Sequence, residues 1–320
     1  MRNIAVGVIG VGYLGKFHAE KYARMPDVDL VGVVDRNEER ADSVAGRLNT
    51  TPFSSYKEII GKVDAVSVVT QTPFHFDISR DFLRNGVDVL IEKPITTTLK
   101  EANALIELAD SHGLIIQVGH LERFNPVVIA LKDIVTNPMF IESHRLSVFQ
   151  ERGVDVDVVL DLMIHDIDII LHFVKSDIGR IDAVGISVAS PNIDIANARI
   201  TFENGCVANV TASRISIKSM RRMRLFQKNA YVSLDYAKRD ITVVKPDGGD
   251  SRDLIPGMGM TQMSFPHADP LYAELRSFIE CVSKRSAPAV SGRDGEKALK
   301  VALSVIDQIK TKKWKGQALT

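Results

Sequence analysis

Five short runs rich in Val and Ile recur at a regular beat through the first 120 residues, at 3–10, 29–35, 64–70, 87–93 and 114–120. They are nearly continuous in apolar residues rather than alternating, as strands buried on both faces of a parallel sheet must be. Between them the spacing predicts helices over about 13–25, 38–48, 74–85 and 98–112. The last begins after Thr96–Thr98 and places Leu99, Ala102, Leu105, Ile106 and Ala109 on one face. Such alternation of strand and helix predicts an α/β fold, a doubly wound parallel sheet of the Rossmann kind.

At 320 residues the chain is too long for one ordinary core, and after residue 120 the beat breaks. Helices are expected near 126–136 and 156–173, then strands at 180–190, 196–203, 206–216, 221–228, 230–235 and 240–245, with turn signals at Glu203-Asn204-Gly205 and Pro246-Asp247-Gly248-Gly249. An amphipathic helix over 292–313 closes the chain. The expected plan is a dinucleotide-binding Rossmann domain over 1–120 and an α+β domain over 121–320, built on a large, mostly antiparallel open sheet for substrate binding and oligomerisation.

Forty Lys and Arg balance forty Asp and Glu, so no global field draws a polyanion, and nucleic acid is not expected as a partner. Two cysteines, Cys206 and Cys281, cannot make a disulfide framework or a four-cysteine metal site. The opening MRNIAVGVIGVG is too short for a membrane span and lacks the longer core and cleavage site of a signal peptide. No membrane partner is expected, and the chain is expected to be cytoplasmic.

Gly10-Val11-Gly12-Tyr13-Leu14-Gly15 follows the first strand and opens the first helix, and Asp35 ends the next strand. That context is what a dinucleotide fingerprint requires. Gly10 permits the tight turn, Gly12 lets the backbone approach a pyrophosphate, and Gly15 lets helix and strand pack closely. Asp35 would accept hydrogen bonds from a ribose diol and repel a 2′-phosphate, which favours NAD. Arg36 beside it leaves NADP possible, because an arginine there can hold that phosphate.

Lys93, in Glu92-Lys93-Pro94, stands at the carboxyl end of the fourth strand, where open α/β sheets bind ligands. Along 156–173 the chain is largely apolar, yet Asp157, Asp161, His165, Asp168 and His172 fall at steps that place them on one helix face. A polar stripe on so apolar a helix must face water, a cavity or a partner. Asp161 one turn before His165 can orient the imidazole as a general base. Histidines seven residues apart make poor metal co-ligands, and no metal is expected.

The glycine turn, Thr70-Gln71-Thr72-Pro73 with His75, Glu92-Lys93-Pro94 and Asp161-x-x-x-His165 stand in one order along the chain. Together they resemble the glucose–fructose oxidoreductase / inositol dehydrogenase (Gfo/Idh/MocA) family of NAD(P)-dependent sugar dehydrogenases. The likeness runs over nearly the whole chain, including Asp269-Pro270-Leu271-Tyr272-Ala273-Glu274-Leu275. One departure is Gln71, where the family pattern has Pro directly after the threonine. Gly119–Pro126 and Val156–Asp168 are similar to the UDP-N-acetylglucosamine 3-dehydrogenase branch, which implies oxidation of a sugar 3-hydroxyl in lipid A or polysaccharide synthesis.

The resemblance implies cofactor contacts from Gly10, Gly12, Tyr13, Leu14, Gly15, Asp35, Arg36, Thr70, Gln71, Thr72, His75, Glu92 and Lys93. It implies catalysis by Lys93, Asp161 and His165. His165 would be the base, Asp161 its orienting carboxylate, and Lys93 the donor that stabilises developing alkoxide. The division of acid–base work between lysine and histidine stays open. Substrate contacts are expected from His120, Arg123, Asn125, Arg152 and His165. The cluster Lys218, Arg221, Arg222 and Arg224 reads as a solvated sheet face. The family also implies a homodimer or homotetramer, the apolar face of the open sheet meeting its copy. The rival readings are a dehydrogenase of UDP-N-acetylglucosaminuronate or of a free sugar or inositol, and a non-catalytic NAD(P)-binding sensor.

Overall fold

The computed structural model describes residues 2–150, 156–246 and 257–311. In chain order it opens with β1 (Ile4–Ile9), α1 (Gly15–Tyr22), β2 (Val28–Val34), α2 (Glu38–Leu48), β3 (Thr51–Phe53), β4 (Ala65–Val68), α3 (His75–Arg84) and β5 (Asp88–Glu92). Then come α4 (Leu99–His112), β6 (Ile116–Gly119), α5 (Pro126–Ile129), β7 (Phe140–Leu146), α6 (Ile164–Val174) and β8 (Ile178–Ile186). The remaining elements are β9 (Ile195–Phe202), β10 (Val207–Ser213), β11 (Met220–Gln227), β12 (Ala230–Asp235), β13 (Asp240–Pro246), β14 (Met258–Ser264), α7 (Pro270–Lys284) and α8 (Gly292–Thr311).

The chain forms two compact units, Met1–Phe124 with Asp269–Leu299, and Asn125–Ala268 with Lys300–Thr320. The first unit holds a six-stranded parallel sheet in the order β3-β2-β1-β4-β5-β6. This is the predicted doubly wound sheet, and the order reverses between β1 and β4, which opens a crevice at their carboxyl ends. All four residues of β4 are buried, as a strand covered on both faces must be. α4 starts where the threonine run predicts it. Thr98 Oγ1 accepts from Glu101 N at 3.2 Å while Glu101 Oε2 accepts from Thr98 N at 3.0 Å, and Gly113 ends the helix at φ 62°. α7 returns to this unit, burying Leu275, Phe278 and Ile279 in the core that contains Val6, Val8, Tyr22 and Leu90. Each such side chain contributes roughly 2 kcal/mol of apolar burial.

The second unit is built on an eight-stranded sheet, β14-β13-β12-β11-β7-β10-β9-β8, antiparallel except where β10 runs parallel to β7. β7 was not anticipated from the sequence. Its residues Phe-Ile-Glu-Ser-His-Arg-Leu alternate in burial yet carry Ser143 and Arg145 inward, so the apolar pattern is broken. β3 and β14 were likewise unforeseen. The helix expected over 126–136 stops at Ile129, and successive turns follow, with Leu131 N bonded to Val128 O at 3.1 Å and Ile134 N to Leu131 O at 2.9 Å. The β-branched run Val127-Val128-Ile129 favours a helix poorly. The turn signal Asp247-Gly248-Gly249 lies outside the described residues.

The apolar face expected to meet its copy is instead covered within this unit. Ala196, Ala198, Ile200, Ala208, Val210, Met223 and Leu225 are all buried, and α6 packs on β7 and β10. The opposite face is mixed. It carries Asn197 bonded to Thr211, Arg222 paired with Asp235 and Arg224 paired with Glu142, beside a cluster of Phe140, Phe226 and Tyr231. Arg222 and Arg224 therefore sit on a solvated sheet face, as their alternation predicts.

Candidate active site

Gly10 adopts φ +87°, and a Cβ there would lie 2.8 Å from the Val69 carbonyl oxygen, so the turns after β1 and β4 meet where only glycine fits. A Cβ at Gly15 would fall inside the Gly10 carbonyl, which fixes the close approach of α1 to the turn. Gly12 differs, because its Cβ would meet nothing nearer than Arg40 Nη1 at 3.9 Å. Its backbone faces a cavity of about 430 Å³ that Tyr13, Lys16, Arg40 and Arg47 help to line. Open backbone at a helix start, ringed by cations, fits a pyrophosphate. Tyr13 and Leu14 are exposed at the turn, with the Tyr13 ring edge-on to Phe17.

Asp35 is held by backbone on both sides, accepting from Val11 N at 3.1 Å and Asn37 N at 2.9 Å. Arg40 Nη1 also reaches it at 3.2 Å. A carboxylate fixed at that place suits a ribose diol. Arg36 does not share in this cluster. Its guanidinium lies 4.8 Å from the centre of the Phe74 ring. Arg40 was missed in the sequence, although Asn37 caps α2 through Arg40 N and so sets Arg40 on the first turn, facing back to Asp35.

The Thr70 loop and the Glu92-Lys93-Pro94 turn are tied together by His75, which is buried with Nδ1 3.0 Å from Pro94 O and Nε2 2.9 Å from Thr70 O. Burial pulls its pKa below the usual value against the opposing pull of those two carbonyls. Both ring nitrogens are engaged by the protein, so His75 bears on the cofactor crevice through the two loops it joins. Thr70 Oγ1 donates to Gln71 O at 3.4 Å, and Gln71 and Thr72 begin a short 3-10 turn ahead of α3. The Lys93–Pro94 bond is cis. Lys93 is half-buried, and Glu92 accepts from His18 Nε2 and from Lys93 N, each at 3.2 Å. His120, just past β6, is buried, and Arg123 follows on a 3-10 turn.

In the second unit, Asp161 and His165 flank a change of helix type. Val159–Met163 is a π-helical turn and α6 begins at Ile164. Such turns are short, rarely favoured and frequent at functional sites. Both residues are half-buried, while Asp168 on the same stripe is buried. Asp157 has a structural task, accepting from Ile193 N at 2.9 Å and pairing with Lys310 at 3.1 Å. Asp166, next to His165, pairs with Arg145 at 2.7 Å, and both are buried, which fastens α6 to β7. Asn125 caps α5 by accepting from Val127 N at 3.3 Å, and its Nδ2 donates to Tyr236 O at 3.4 Å. Arg152 lies outside the described residues. Among the described residues no group of three or more His, Cys, Asp or Glu is placed to hold a metal, and no helix is long and apolar enough to cross a membrane.

A glycine turn opening on a cationic cavity, with a fixed carboxylate at the end of β2, defines a dinucleotide-binding oxidoreductase with a separate sheet unit. The chain belongs to the GFO/IDH/MocA oxidoreductase family. Residues 4–120 match its NAD-binding Rossmann fold and residues 142–232 its C-terminal domain. It is thus an oxidoreductase acting on CH–OH groups, with NAD as cofactor. It is 37% identical to the UDP-N-acetylglucosamine 3-dehydrogenase of Acidithiobacillus ferrooxidans over 95% of this chain and 97% of that one. A solved structure of that dehydrogenase aligns at TM-score 0.92 and 36% identity, covering 97% of this chain and 98% of the other. The scyllo-inositol 2-dehydrogenase of Bacillus subtilis is 27% identical over 96% of this chain and 94% of its own.

Proposed function

We propose that this chain oxidises the 3-hydroxyl of UDP-N-acetylglucosamine to the 3-keto sugar. The observation that carries the reading is the near full-length likeness to the Acidithiobacillus dehydrogenase at 37% identity, against 27% for the Bacillus subtilis scyllo-inositol 2-dehydrogenase. Bound NAD supplies the acceptor for the hydride leaving the sugar carbon. His165 takes the hydroxyl proton as that hydride departs, and Asp161, one turn earlier across the π–α junction, orients the imidazole and favours the imidazolium. Lys93 is the donor proposed to stabilise the charge of the developing alkoxide. Arg123 is the proposed donor to the diphosphate, with His120 and Asn125 as further substrate contacts. The product is a ketone open to a transaminating enzyme, which suits a place in lipid A or polysaccharide synthesis in the cytoplasm. The assembly proposed is a homodimer or homotetramer through the C-terminal sheet.

The test is growth of the reduced-nicotinamide absorbance after mixing protein, NAD and UDP-N-acetylglucosamine with a carbonyl trap. Growth on this sugar and little on free inositol is expected. Growth on inositol or on UDP-N-acetylglucosaminuronate alone would replace the substrate and keep the reaction class. Binding of NAD with silence on every sugar would leave a sensor.

A further inference from the structure

Beneath the Glu92-Lys93-Pro94 turn, the first unit holds two carboxyl groups that the proposed chemistry does not use, Glu92 half-buried and Glu274 fully buried. Glu92 lies against β6, where a Cβ at Gly119 would sit 3.0 Å from its carboxylate atoms, so glycine there makes room for it. Gln117, two residues earlier on the same face of β6, donates through Nε2 to the backbone oxygen of Glu274 at 3.1 Å. Glu274, on α7, is thus brought to the strand face on which Glu92 packs. Its side chain is 0% exposed, and neither carboxyl oxygen has a protein hydrogen-bond partner among the described residues.

The donors are divided unequally. Glu92 has His18 Nε2 and the Lys93 amide, and Glu274 has neither. Two carboxyl groups that feel each other in a buried space do not both ionise, and the one with donors keeps the charge. Burial alone would raise the pKa of Glu92, but His18, then Lys93 and His75, hold it below the usual carboxylate range. Burial first, and the Glu92 charge second, push Glu274 well above that range. The other ionisable groups facing the pair are His18 and Tyr22 from α1, His75 from α3 and Lys93 itself. Tyr22, bonded to Ser67 at 2.8 Å, is pushed up by burial and stays neutral.

We propose that Glu92 and Glu274 form a carboxyl pair holding a single negative charge, that His18 fixes this charge on Glu92, and that Glu92 thereby acts as a positioning residue keeping Lys93 an ammonium. Glu274 is the neutral member. Its proton keeps the pair at one charge, and its bulk keeps water from screening that charge. The kinetic consequence rests on the reading of Lys93 as donor to the sugar hydroxyl. The charge state of the pair does not.

Infrared difference spectroscopy of the full chain tests the pair without any sugar. Wild type minus Glu274→Gln at neutral pH should show the loss of a protonated carboxyl C=O stretch, and a lost carboxylate band instead would overturn the pair. Should that variant fail to fold, Glu274→Met serves, and in wild type alone the protonated band should persist as the pH is raised through neutrality. The pH profile of kcat/KM tests the coupling. Glu92→Gln, which preserves the acceptor facing His18, should move the basic limb down by about one pH unit or more, while Glu274→Gln leaves that limb where it is. Equal movement in both variants would mean two charges and refute the proposal. A limb unmoved by Glu92→Gln, with the infrared result intact, would refute the coupling to Lys93 alone.

Discussion

Replacing Asp194 should destabilise the second unit in a way that depends on pH. The carboxylate is buried, and one oxygen accepts from the amides of Val188, Ala189 and Ser190 at 2.8, 2.7 and 2.9 Å while the other takes the Ser190 hydroxyl at 2.6 Å. Burial alone would raise its pKa, but the Ser190 hydroxyl and the three amides outweigh it and bring the value from 3.8 to about 2. A folded pKa below the unfolded one contributes stability that is full above about pH 4 and is lost as the pH falls through about 2. At roughly 1.4 kcal/mol per pH unit, the contribution is about 2 kcal/mol. Asp194→Asn turns an amide NH₂ or a weaker acceptor toward donors and should cost about 2–4 kcal/mol at neutral pH. Urea unfolding followed by circular dichroism, repeated down the pH scale, should show the gap between variant and wild type narrowing in acid. A gap that stays constant through that window would refute the argument. Arg214, 3.8 Å from Asp194, donates to Val156 O at 2.5 Å, just ahead of the helical stretch that carries Asp161 and His165.

Gly15→Ala should weaken NAD binding at least tenfold in a titration, because its methyl has no room against the Gly10 carbonyl and the turn must shift. Asp35→Ser should raise the NADP-to-NAD ratio of kcat/KM by tenfold or more, since it removes the charge facing a 2′-phosphate and releases Arg40 to bind one. His165→Asn should lower kcat by about 10²-fold or more while the dissociation constant for NAD changes little. Near-normal turnover would remove His165 from the mechanism.

The first sheet was legible because strands buried on both faces have no choice but to be apolar, and because glycine is demanded where β1 meets the loop after β4. The second sheet was harder to read where its strands carry polar residues inward. Arg145 in β7 is satisfied by Asp166 from α6, a pairing that no local pattern announces. The π-helical turn before His165 was invisible for a related reason, since the spacing from Asp161 to His165 suits an α-helix equally well. Arg40 could have been found by placing Asn37 as the cap of α2. His18 and Glu274 could not, because Glu92, to which the proposed pair ties them, stands 74 and 182 positions away from them along the chain.

The most direct measurement uses UDP-N-acetylglucosamine deuterated at carbon 3, mixed with NAD and the protein, with the reduced nicotinamide isolated and weighed by mass spectrometry. The account predicts that the deuterium arrives on C4 of the nicotinamide and that the sugar is left as a 3-ketone. Reduced nicotinamide without deuterium would place the oxidised carbon elsewhere and contradict it.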